Sequence, residues 1–409
     1  MAQTSEFATP AENLLDANFF DQDLGRRKSD SAKWNYYNED VLPMWVADMD
    51  FLAPPPVVDA LHARIEHGTF GYAQELPRLR ELICARMEQL YHWHVTPEQI
   101  VLLPGLVSGL NLVARSSDER GSGILVNTPI YPPFLSAPTN QEREVHEAQM
   151  ALTHRHDQQG RSYLYYELDF DALNAAVQPN TRMFMFCNPH NPVGRAYTLS
   201  ELEQIAEFCL RHNLAICSDE IHSDLVLGQT QHIPIAAVHP QLAERSITLL
   251  APSKTYNMPG LGCSLAIIPN SELRQRVQRT ASGIIPHVNL LGVVAATAAY
   301  GEGEAWLTQL KQYLTSNRNL LFDFVKTNLP EVELTLPEAT YLAWLDFRAY
   351  GIEDPYAFFL EHAKVALSSG KSFGEPGQGF ARLNFGTTKT LLQEGLQRIA
   401  NAAATAKAS

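Results

Sequence analysis

Short apolar runs alternate with longer amphipathic stretches through the middle of the chain. The apolar runs lie at residues 123–126, 183–187, 214–218, 246–250 and 264–268. Runs of this length, separated by helical patterns, are typical of strands in a parallel sheet that is covered by helices. The pattern therefore predicts an α/β fold with a mainly parallel sheet.

Two of the amphipathic stretches have clear helical spacing. Between the runs at 183–187 and 214–218, apolar residues recur at steps of three and four, and Thr198 with Glu201 forms a candidate capping box. A second helical pattern begins near Glu304 and stops before Pro330. The first stretch completes a unit of strand, loop, helix and strand, and the second could connect the sheet to a smaller C-terminal domain.

Length and composition indicate a large, compact protein with a divided core. The chain has 409 residues, of which 45% are hydrophobic and 19% are charged, as in ordinary globular proteins. A single hydrophobic core seldom serves so long a chain. We expect a large domain at residues 51–290, and a second unit made of the N-terminal segment 1–50 and a small C-terminal domain at 291–409.

Charge and cysteine content exclude several classes of function. The formal net charge is -14, and no cluster of Lys and Arg offers a surface for nucleic acid. The five cysteines are scattered without a C-x-x-C pair, so no metal site is expected and a reducing cytoplasm suits them. The chain shows neither a secretory signal nor an apolar run long enough to cross a membrane. We predict a cytoplasmic protein with no nucleic-acid or membrane partner.

Polar residues follow three of the predicted strands at the point where each strand ends. They lie at 188–194, at 219–222, and at Ser253 with Lys254. Ligands of such sheets bind outside the carboxyl ends of the strands, where loops present side chains without disturbing the core. One shared site would explain all three groups.

These groups, in this order, resemble the motifs of fold-type-I enzymes that use pyridoxal 5'-phosphate (PLP), within the class I and II aminotransferase superfamily. The motifs are N-P-H-N-P-V-G at 188–194, D-E-I-H at 219–222, S-K-T-Y-N at 253–257 and A-R-L-N-F-G at 381–386. The resemblance implies PLP as cofactor, and it implies a large domain with a mainly parallel sheet beside a smaller α+β domain.

The resemblance also assigns roles around the cofactor ring. Lys254 would hold PLP as a Schiff base and move protons once released, because an amine can do both. A carboxylate at Asp219 would keep the pyridine nitrogen protonated, so that the ring accepts electrons. Asn191 would hydrogen-bond the ring phenolate, and Tyr131 would stack on the ring. The structural alternatives are a surface lysine, a helix-capping Asp, a turn Asn and a core aromatic.

Substrate-binding residues follow from the same resemblance. Arg382 would clamp the substrate α-carboxylate, since a planar guanidinium meets two oxygens; a structural ion pair is the alternative. Ala47, in a segment that covers the site, is the other expected substrate-binding residue. His222 stands where many aminotransferases carry Tyr, and it could bond the ring phenolate or only fill space.

The phosphate group is expected at a turn before a predicted helix. Gly105, Leu106 and Val107 lie in P-G-L-V-S-G at 104–109, and backbone N–H groups at a helix start bind phosphate well. An ordinary turn between strand and helix has the same sequence character.

The chain departs from the common phosphate pattern at two positions. Many relatives place Ser three residues before the lysine and Arg eight residues after it, where this chain has Ala251 and Gly262. Ser253 and the helix-start amides are the expected substitutes. Tyr72 resembles the tyrosine that reaches the phosphate from a neighbouring subunit, which implies a homodimer with the active site at its interface; a buried turn aromatic is the alternative.

The reaction class is indicated by the segment L-P-M-W-V-A-D-M-D-F at 42–51. It resembles the W-V-A-D-M-D-F segment of the cystathionine β-lyase and cysteine-S-conjugate β-lyase branch. That branch also shows P-x-Y-x-x-F, S-D-E-I-H-x-D and S-K-T-[FY]-N, present here at 129–134, 218–224 and 253–257. The resemblance implies a carbon–sulfur β-lyase that converts L-cystathionine or another S-substituted L-cysteine to thiol, pyruvate and ammonia.

Other functions stay open at this point. A PLP-dependent aminotransferase of an L-amino acid is the main alternative, although a dicarboxylate substrate would require a second cation that we cannot place. A PLP-binding regulator would carry a DNA-binding extension, and no basic patch or helix-turn-helix segment is present. A metabolite-binding protein without catalysis would keep its function when Lys254 is changed.

Overall fold

The computed structural model describes residues 15, 16, 18–71, 77–117, 119–228 and 230–408. Tyr72 lies outside the described residues, so its predicted role is addressed below only as a proposal. The strands are β1 (Leu42–Pro43), β2 (Ile100–Leu103), β3 (Gly123–Thr128), β4 (Glu144–Gln149), β5 (Ala151–His156), β6 (Ser162–Glu167), β7 (Thr181–Cys187), β8 (Ala215–Asp219), β9 (Ser246–Leu250), β10 (Ser264–Ile267), β11 (Glu333–Leu334), β12 (Leu342–Asp346), β13 (Val365–Ala366), β14 (Ser368–Ser369) and β15 (Phe380–Asn384).

Helices connect and cover these strands. They are α1 (Ala32–Asn35), α2 (Pro55–Glu66), α3 (Pro77–Tyr91), α4 (Leu106–Ser117), α5 (Pro133–Asn140), α6 (Phe170–Ala176), α7 (Leu199–Arg211), α8 (Ile235–Val238), α9 (Pro240–Ala243), α10 (Pro252–Thr255), α11 (Ser271–Ala281), α12 (Leu290–Glu302), α13 (Glu304–Asn328), α14 (Pro355–His362) and α15 (Lys389–Ala408). Among the described residues, no helix has both the length and the apolar character that a membrane span requires.

A seven-stranded sheet forms the centre of the fold, in the order β2-β10-β9-β8-β7-β3-β4. Neighbouring strands are parallel except at β10, which runs antiparallel to both β2 and β9. The predicted mainly parallel sheet is therefore confirmed. Because β9, β8 and β7 lie side by side, their carboxyl ends meet at one edge, as the prediction of a shared site requires.

The core strands bury side chains on both faces of this sheet. Ile124 and Val126 pack with α4, α5 and α11 on one face, whereas Leu125 packs with α6 and α7 on the other. Successive side chains of a strand point to opposite faces, so a continuous apolar run fills both layers. This explains why the strands show no alternation of polar and apolar residues.

The two predicted helices form close to their expected positions. In α7 the hydroxyl of Thr198 accepts a hydrogen bond from Glu201 N at 3.3 Å, and the Glu201 carboxylate accepts one from Thr198 N at 2.8 Å. The predicted capping box is thus present. The second helix, α13, ends two residues before Pro330.

A smaller antiparallel sheet, β11-β12-β15-β14, lies towards the C-terminus and packs with α14 and α15. Before it reaches the large sheet, the N-terminal segment pairs with this region, since β1 runs parallel to β13. The chain then continues past the carboxyl edge of the large sheet. The domain boundaries at residues 50 and 290 stay a prediction.

Candidate active site

A cavity of about 470 Å³ opens at the carboxyl edge of the large sheet. The predicted site residues that the structure describes all line it: Ala47, Gly105, Leu106, Val107, Tyr131, Asn191, Asp219, His222, Ser253, Lys254 and Arg382. They come from five strand ends, from the N-terminal segment and from the small sheet. The fold therefore brings together residues that are more than 300 positions apart in the sequence.

Lys254 lies on α10, the short helix that follows β9. Its Nζ lines the cavity and donates a hydrogen bond to the backbone carbonyl of Ala47. Burial, followed by the nearby charge of Arg382, lowers the pKa of Lys254 to about 8, although Asp48 and Asp219 act in the opposite direction. A lysine with this pKa supplies neutral amine near physiological pH, as a nucleophile or base must.

Asp219 is the last residue of β8 and is 4% exposed. One carboxylate oxygen accepts a hydrogen bond from Ile221 N at 3.0 Å, within a turn; the next helical turn begins at Ser223 without a side-chain cap, so Asp219 does not cap it. Burial raises the pKa of Asp219 to about 7, because neither the Ile221 bond nor the charge of Lys254 offsets the loss of water. A buried carboxylate that lacks a close cation suits a ligand that brings its own positive charge.

Arg382, on β15, is buried without a carboxylate partner among the described ion pairs. Its Nη1 donates to Asn191 Oδ1 at 3.0 Å, and its Nη2 donates to Trp45 O at 3.0 Å and to Ser368 Oγ at 3.1 Å. Burial lowers the pKa of Arg382 to about 10, which leaves it charged at neutral pH. These contacts do not support the structural ion pair, and an anionic ligand would neutralise the guanidinium.

His222 is 2% exposed, and its Nδ1 is buried with no hydrogen-bond partner among the described residues. Burial and the charges of Lys254 and Arg382 lower its pKa to about 3, so the ring is neutral. The ring also packs edge-on against Tyr341, with centroids 6.0 Å apart. His222 therefore fills space against Tyr341, and its neutral ring lines the cavity.

The phosphate end of the cavity is built around the start of α4. Leu106 and Val107 are the first residues of this helix, and Gly109 N bonds Gly105 O. The N–H groups of a first helical turn have no partner within the helix. Gly262 borders the same region with φ +57, and a side chain there would start 3.0 Å from the carbonyl oxygen of Pro104. An arginine in place of Gly262 would thus be strained.

His190 holds two loops of the site together and was not predicted. Its Nε2 lies 2.8 Å from the carbonyl oxygen of Pro129, two residues before Tyr131, and its Nδ1 lies 3.1 Å from Tyr197 Oη. A carbonyl oxygen only accepts, so Nε2 carries the proton and Nδ1 accepts from the tyrosine. Burial lowers the pKa of His190 to about 4, which keeps this arrangement neutral.

The cavity has further lining residues that lack a motif. Ser368 donates to Trp45 O at 2.8 Å, and Phe373 lies under the guanidinium of Arg382, 5.0 Å from its carbon to the ring centroid. Ser108 lines the phosphate end. Ser108 could have been found in the sequence, since it lies inside the predicted turn. Ser368 and Phe373 carry no such signal.

The geometry fits PLP in three respects. The unpaired carboxylate of Asp219 fits a protonated pyridine nitrogen, and the amine of Lys254 fits an aldehyde. The N–H groups at the start of α4 fit a phosphate. Fold and site together define the class of enzymes that bind PLP at the carboxyl edge of a mainly parallel sheet.

The chain belongs to the aminotransferase class I and II family, which it matches over residues 39–399. It is 38% identical over 401 residues to cystathionine β-lyase PatB of Bacillus subtilis (strain 168), covering 93% of this chain and 98% of PatB. The predicted family and fold are confirmed.

Two solved structures extend this likeness. The crystal structure of OvoB is 43% identical with a TM-score of 0.88, covering 94% of this chain and 98% of OvoB. The PLP-bound C–S lyase from Staphylococcus hominis is 32% identical with a TM-score of 0.85, covering 94% of this chain and 98% of the lyase. Both likenesses extend through the N-terminal segment, the large sheet and the small sheet.

Proposed function

We propose that this protein is a PLP-dependent carbon–sulfur β-lyase that converts L-cystathionine or a related S-substituted L-cysteine to a thiol, pyruvate and ammonia. The observation that carries the proposal is the meeting of the segment 45–51 with Lys254 in one cavity. The likeness to PatB and to the Staphylococcus hominis enzyme, over 93% and 94% of the chain, confirms the predicted cofactor and reaction class.

Each polar residue of the cavity has a proposed task. PLP, when bound, supplies an electron sink for the bonds at the substrate Cα. Lys254 Nζ takes the Cα proton and then delivers a proton to the departing sulfur. Asp219 holds a proton on the pyridine nitrogen, and Arg382 binds the substrate α-carboxylate. Asn191 and His222, which both line the cavity, are the proposed partners of the ring phenolate.

The phosphate is proposed to bind at the start of α4. The amides of Leu106 and Val107, following Gly105, supply donors there, and the hydroxyls of Ser253 and Ser108 line the same cavity. These groups take the place of the Ser and Arg that the family commonly uses. Tyr131 is proposed to stack on the cofactor ring.

The charges of the cavity favour a β-lyase over an aminotransferase of dicarboxylic amino acids. Among the described lining residues, Lys254 and Arg382 are the lysine and arginine side chains that could meet a carboxylate. Lys254 is committed to the cofactor, so Arg382 is left for the α-carboxylate. A carboxylate on the substrate side chain would find no equivalent cation among these residues, so the cavity favours S-substituents without a carboxylate over the homocysteine half of L-cystathionine.

Incubation of the purified PLP-loaded protein with L-cystathionine tests the reaction class. Pyruvate and free thiol should appear together without any added oxo acid, because β-elimination needs no amino-group acceptor. Glutamate that forms from added 2-oxoglutarate, together with an oxo acid that still contains the sulfur of L-cystathionine, would instead identify an aminotransferase. S-methyl-L-cysteine serves as a second substrate that lacks the distal carboxylate.

Replacement of the lysine tests its assignment. Lys254→Ala should lose the visible absorbance of the holoenzyme, and turnover should fall by about 10²–10⁴-fold, the usual contribution of a positioned acid–base group. Lys364→Ala serves as the control variant, because Lys364 is exposed. Lys33 is buried like Lys254 and is therefore unsuitable as a control. Unchanged absorbance in Lys254→Ala would remove Lys254 from its role.

We propose that the enzyme is a homodimer whose active site includes Tyr72 of the second subunit. Val58 and Ile65 of α2 are 37% and 53% exposed and lie seven residues apart, on one face of the helix. Phe70 is 60% exposed, and Val107 is exposed at the cavity itself. Exposed apolar side chains on one face of α2, together with Val107 at the cavity, support a subunit contact.

We also propose a cytoplasmic location. All five cysteines are free, and those other than Cys84 are buried. Unpaired cysteines are typical of a reducing compartment. Cell fractionation with a cytoplasmic marker enzyme would test the location.

A further inference from the structure

The backbone of residues 45–51, called the strap below, is held by side chains along its length. Asn384, the last residue of β15, donates from Nδ2 to Val46 O at 2.7 Å and to Asp48 O at 2.8 Å. These two carbonyls flank Ala47. A single buried amide therefore fixes the peptide units on both sides of the Ala47 carbonyl.

The Ala47 carbonyl itself accepts two hydrogen bonds. Tyr341 Oη donates to it at 2.9 Å, and Lys254 Nζ is the second donor. Tyr341 is 1% exposed and directly precedes β12, whose first residue pairs with Asn384 in the small sheet. The small sheet thus presents both fastening side chains, Tyr341 and Asn384, to the strap.

The other end of the strap is tied to the loop that carries the lysine. Asn257, three residues after Lys254, donates from Nδ2 to Met49 O at 2.9 Å and to Phe51 O at 2.7 Å, and its Oδ1 accepts from Met49 N at 2.9 Å. The distance between the strap and the lysine loop is therefore fixed on the large-sheet side as well. Movement of the Ala47 carbonyl relative to Lys254 is restricted from both sides.

Such a fixed acceptor determines how the amine is oriented. A neutral amine has one lone pair, and donation of one N–H to a fixed carbonyl limits the directions that the lone pair can take. Reaction at the aldehyde or at a Cα proton requires the lone pair to point at the reacting atom, and misplacement by about 1 Å costs about 10²-fold in rate. Orientation of Nζ is thus a separate requirement from its pKa.

We propose that Tyr341 and Asn384 are positioning residues that orient Lys254 Nζ through the carbonyl of Ala47. This proposal rests on the proposed role of Lys254 as the residue that binds PLP. It assigns the small sheet a part in the chemistry beyond the clamp formed by Arg382.

Covalent attachment of PLP to the cofactor-free protein provides the test. In that step the lone pair of the neutral Nζ amine attacks the aldehyde carbon, the two N–H hydrogens pass to the aldehyde oxygen, and this oxygen leaves as water while the C=N bond forms. Its rate is followed by visible absorbance. Pyridoxine 5'-phosphate has an alcohol in place of the aldehyde, so its affinity, measured by calorimetry, reports non-covalent binding alone.

Tyr341→Phe removes one hydroxyl, and Asn384→Ala removes both amide bonds. In each variant, attachment of PLP and kcat should fall about tenfold, within the range expected for lost orientation. KM and the affinity for pyridoxine 5'-phosphate should stay within about twofold of the parent. Tyr166→Phe is the matched control, because buried Tyr166 also loses one hydroxyl that bonds a residue of β12, accepting from Trp344 Nε1 at 3.1 Å, and among the described residues it makes no hydrogen bond to the strap.

Three results would overturn the proposal. Attachment at the parental rate in a folded Tyr341→Phe protein is the first, and this variant decides the matter if Asn384→Ala does not fold. Equal slowing in Tyr166→Phe is the second, since it would indicate general destabilisation. A matching loss of affinity for pyridoxine 5'-phosphate is the third. If the parent attaches PLP but does not cleave L-cystathionine, the proposed function fails while attachment still tests the strap.

Discussion

At the scale of single residues, the cavity collects polar groups that a folded core normally pairs. Asp219 has no close cation, Arg382 has no carboxylate, and His222 keeps a buried nitrogen without a partner among the described residues. Each of these groups costs stability in the cofactor-free protein. A ligand with a pyridinium, a phenolate and a carboxylate would satisfy all three, which is why the unpaired state indicates a binding site.

Replacement of Asp219 by Asn should change the stability of the cofactor-free protein and that of the PLP-bound protein in opposite directions. The pKa of Asp219 in the folded protein is about 7, above the ordinary value of 3.8, so the folded state binds more protons between these values. Stability of the cofactor-free protein therefore falls as pH rises through this window. Asp219→Asn cannot ionise, and it should stabilise the cofactor-free protein at pH 8 by about 1–4 kcal/mol, from 1.36 kcal/mol per pKa unit.

Thermal unfolding at pH 5 and pH 8, with and without PLP, measures this effect. The gain in the cofactor-free variant should be small at pH 5, where Asp219 is protonated, and larger at pH 8. With PLP bound the sign should reverse, because the variant loses the carboxylate that pairs with the pyridinium. A cofactor-free Asp219→Asn protein that is less stable than the parent at pH 8 would contradict this account.

At the scale of elements, sequence pattern located the strands and the longer helices because their burial is local and periodic. Each predicted strand lies within a few residues of an observed one, and the capping box of α7 is present. The antiparallel direction of β10 has no such local signal, since β10 is as apolar as the parallel strands of the same sheet. Direction is set by the connections and by packing, not by the residues of the strand.

The same limit applies to the site. Residues within motifs, such as Asp219 and Lys254, were located by their neighbours in the sequence. Tyr341 and Ser368 lie outside the motifs, and Asn384 lies inside A-R-L-N-F-G without a predicted role. All three bond the backbone of a distant segment, and backbone acceptors leave no trace in residue type. Sequence therefore predicts groups that contact the cofactor better than groups that hold those contacts in place.

The loop 188–194 gives a prediction at the element scale, because the structure explains why position 194 is a glycine. Gly194 has φ +75, and a Cβ there would lie 2.7 Å from Pro337 Cβ. Its carbonyl also accepts from Glu338 N and Ala339 N, at 2.8 and 3.0 Å. Gly194→Ala must both strain the backbone and separate the loop from Pro337, which would shift Asn191.

Gly160→Ala is the matched control, since Gly160 has φ +77 but open space around its Cβ position. The control should lose about 1–2 kcal/mol of stability from backbone strain alone and keep its PLP affinity. Gly194→Ala should lose a further 1–3 kcal/mol, roughly, from overpacking, and bind PLP more weakly. Equal losses in the two variants, measured by urea unfolding and PLP titration, would show that the Pro337 contact is unimportant.

At the scale of the whole molecule, the cavity is assembled from parts that lie far apart along the chain. The large sheet supplies Lys254 and Asp219, the small sheet supplies Arg382, and the strap passes between them. Binding of the cofactor therefore depends on the relative placement of these parts. The proposed second subunit adds another part, and its contribution can be separated from that of the first.

Hybrid dimers test whether Tyr72 acts across the interface. Lys254→Ala and Tyr72→Phe subunits, each with its own affinity tag, are expressed together, and dimers with one subunit of each kind are isolated. If Tyr72 reaches the cofactor of the other subunit, one site of the hybrid combines an intact Lys254 with an intact Tyr72. The hybrid should then recover about half the parental activity per dimer, since a twofold dimer has two equivalent sites.

The opposite arrangement gives a different result, because a Tyr72 that serves its own subunit leaves each site of the hybrid with one defect. Such a hybrid should be no more active than the mean of the two variant dimers. Full activity in dimers of Tyr72→Phe alone would remove the tyrosine from the site in either arrangement. A monomer by light scattering, near the chain mass of 45.6 kDa, would exclude a shared site altogether. Recovery in the hybrid would establish that the catalytic unit is the dimer, with the lysine and the phosphate contact supplied by different chains.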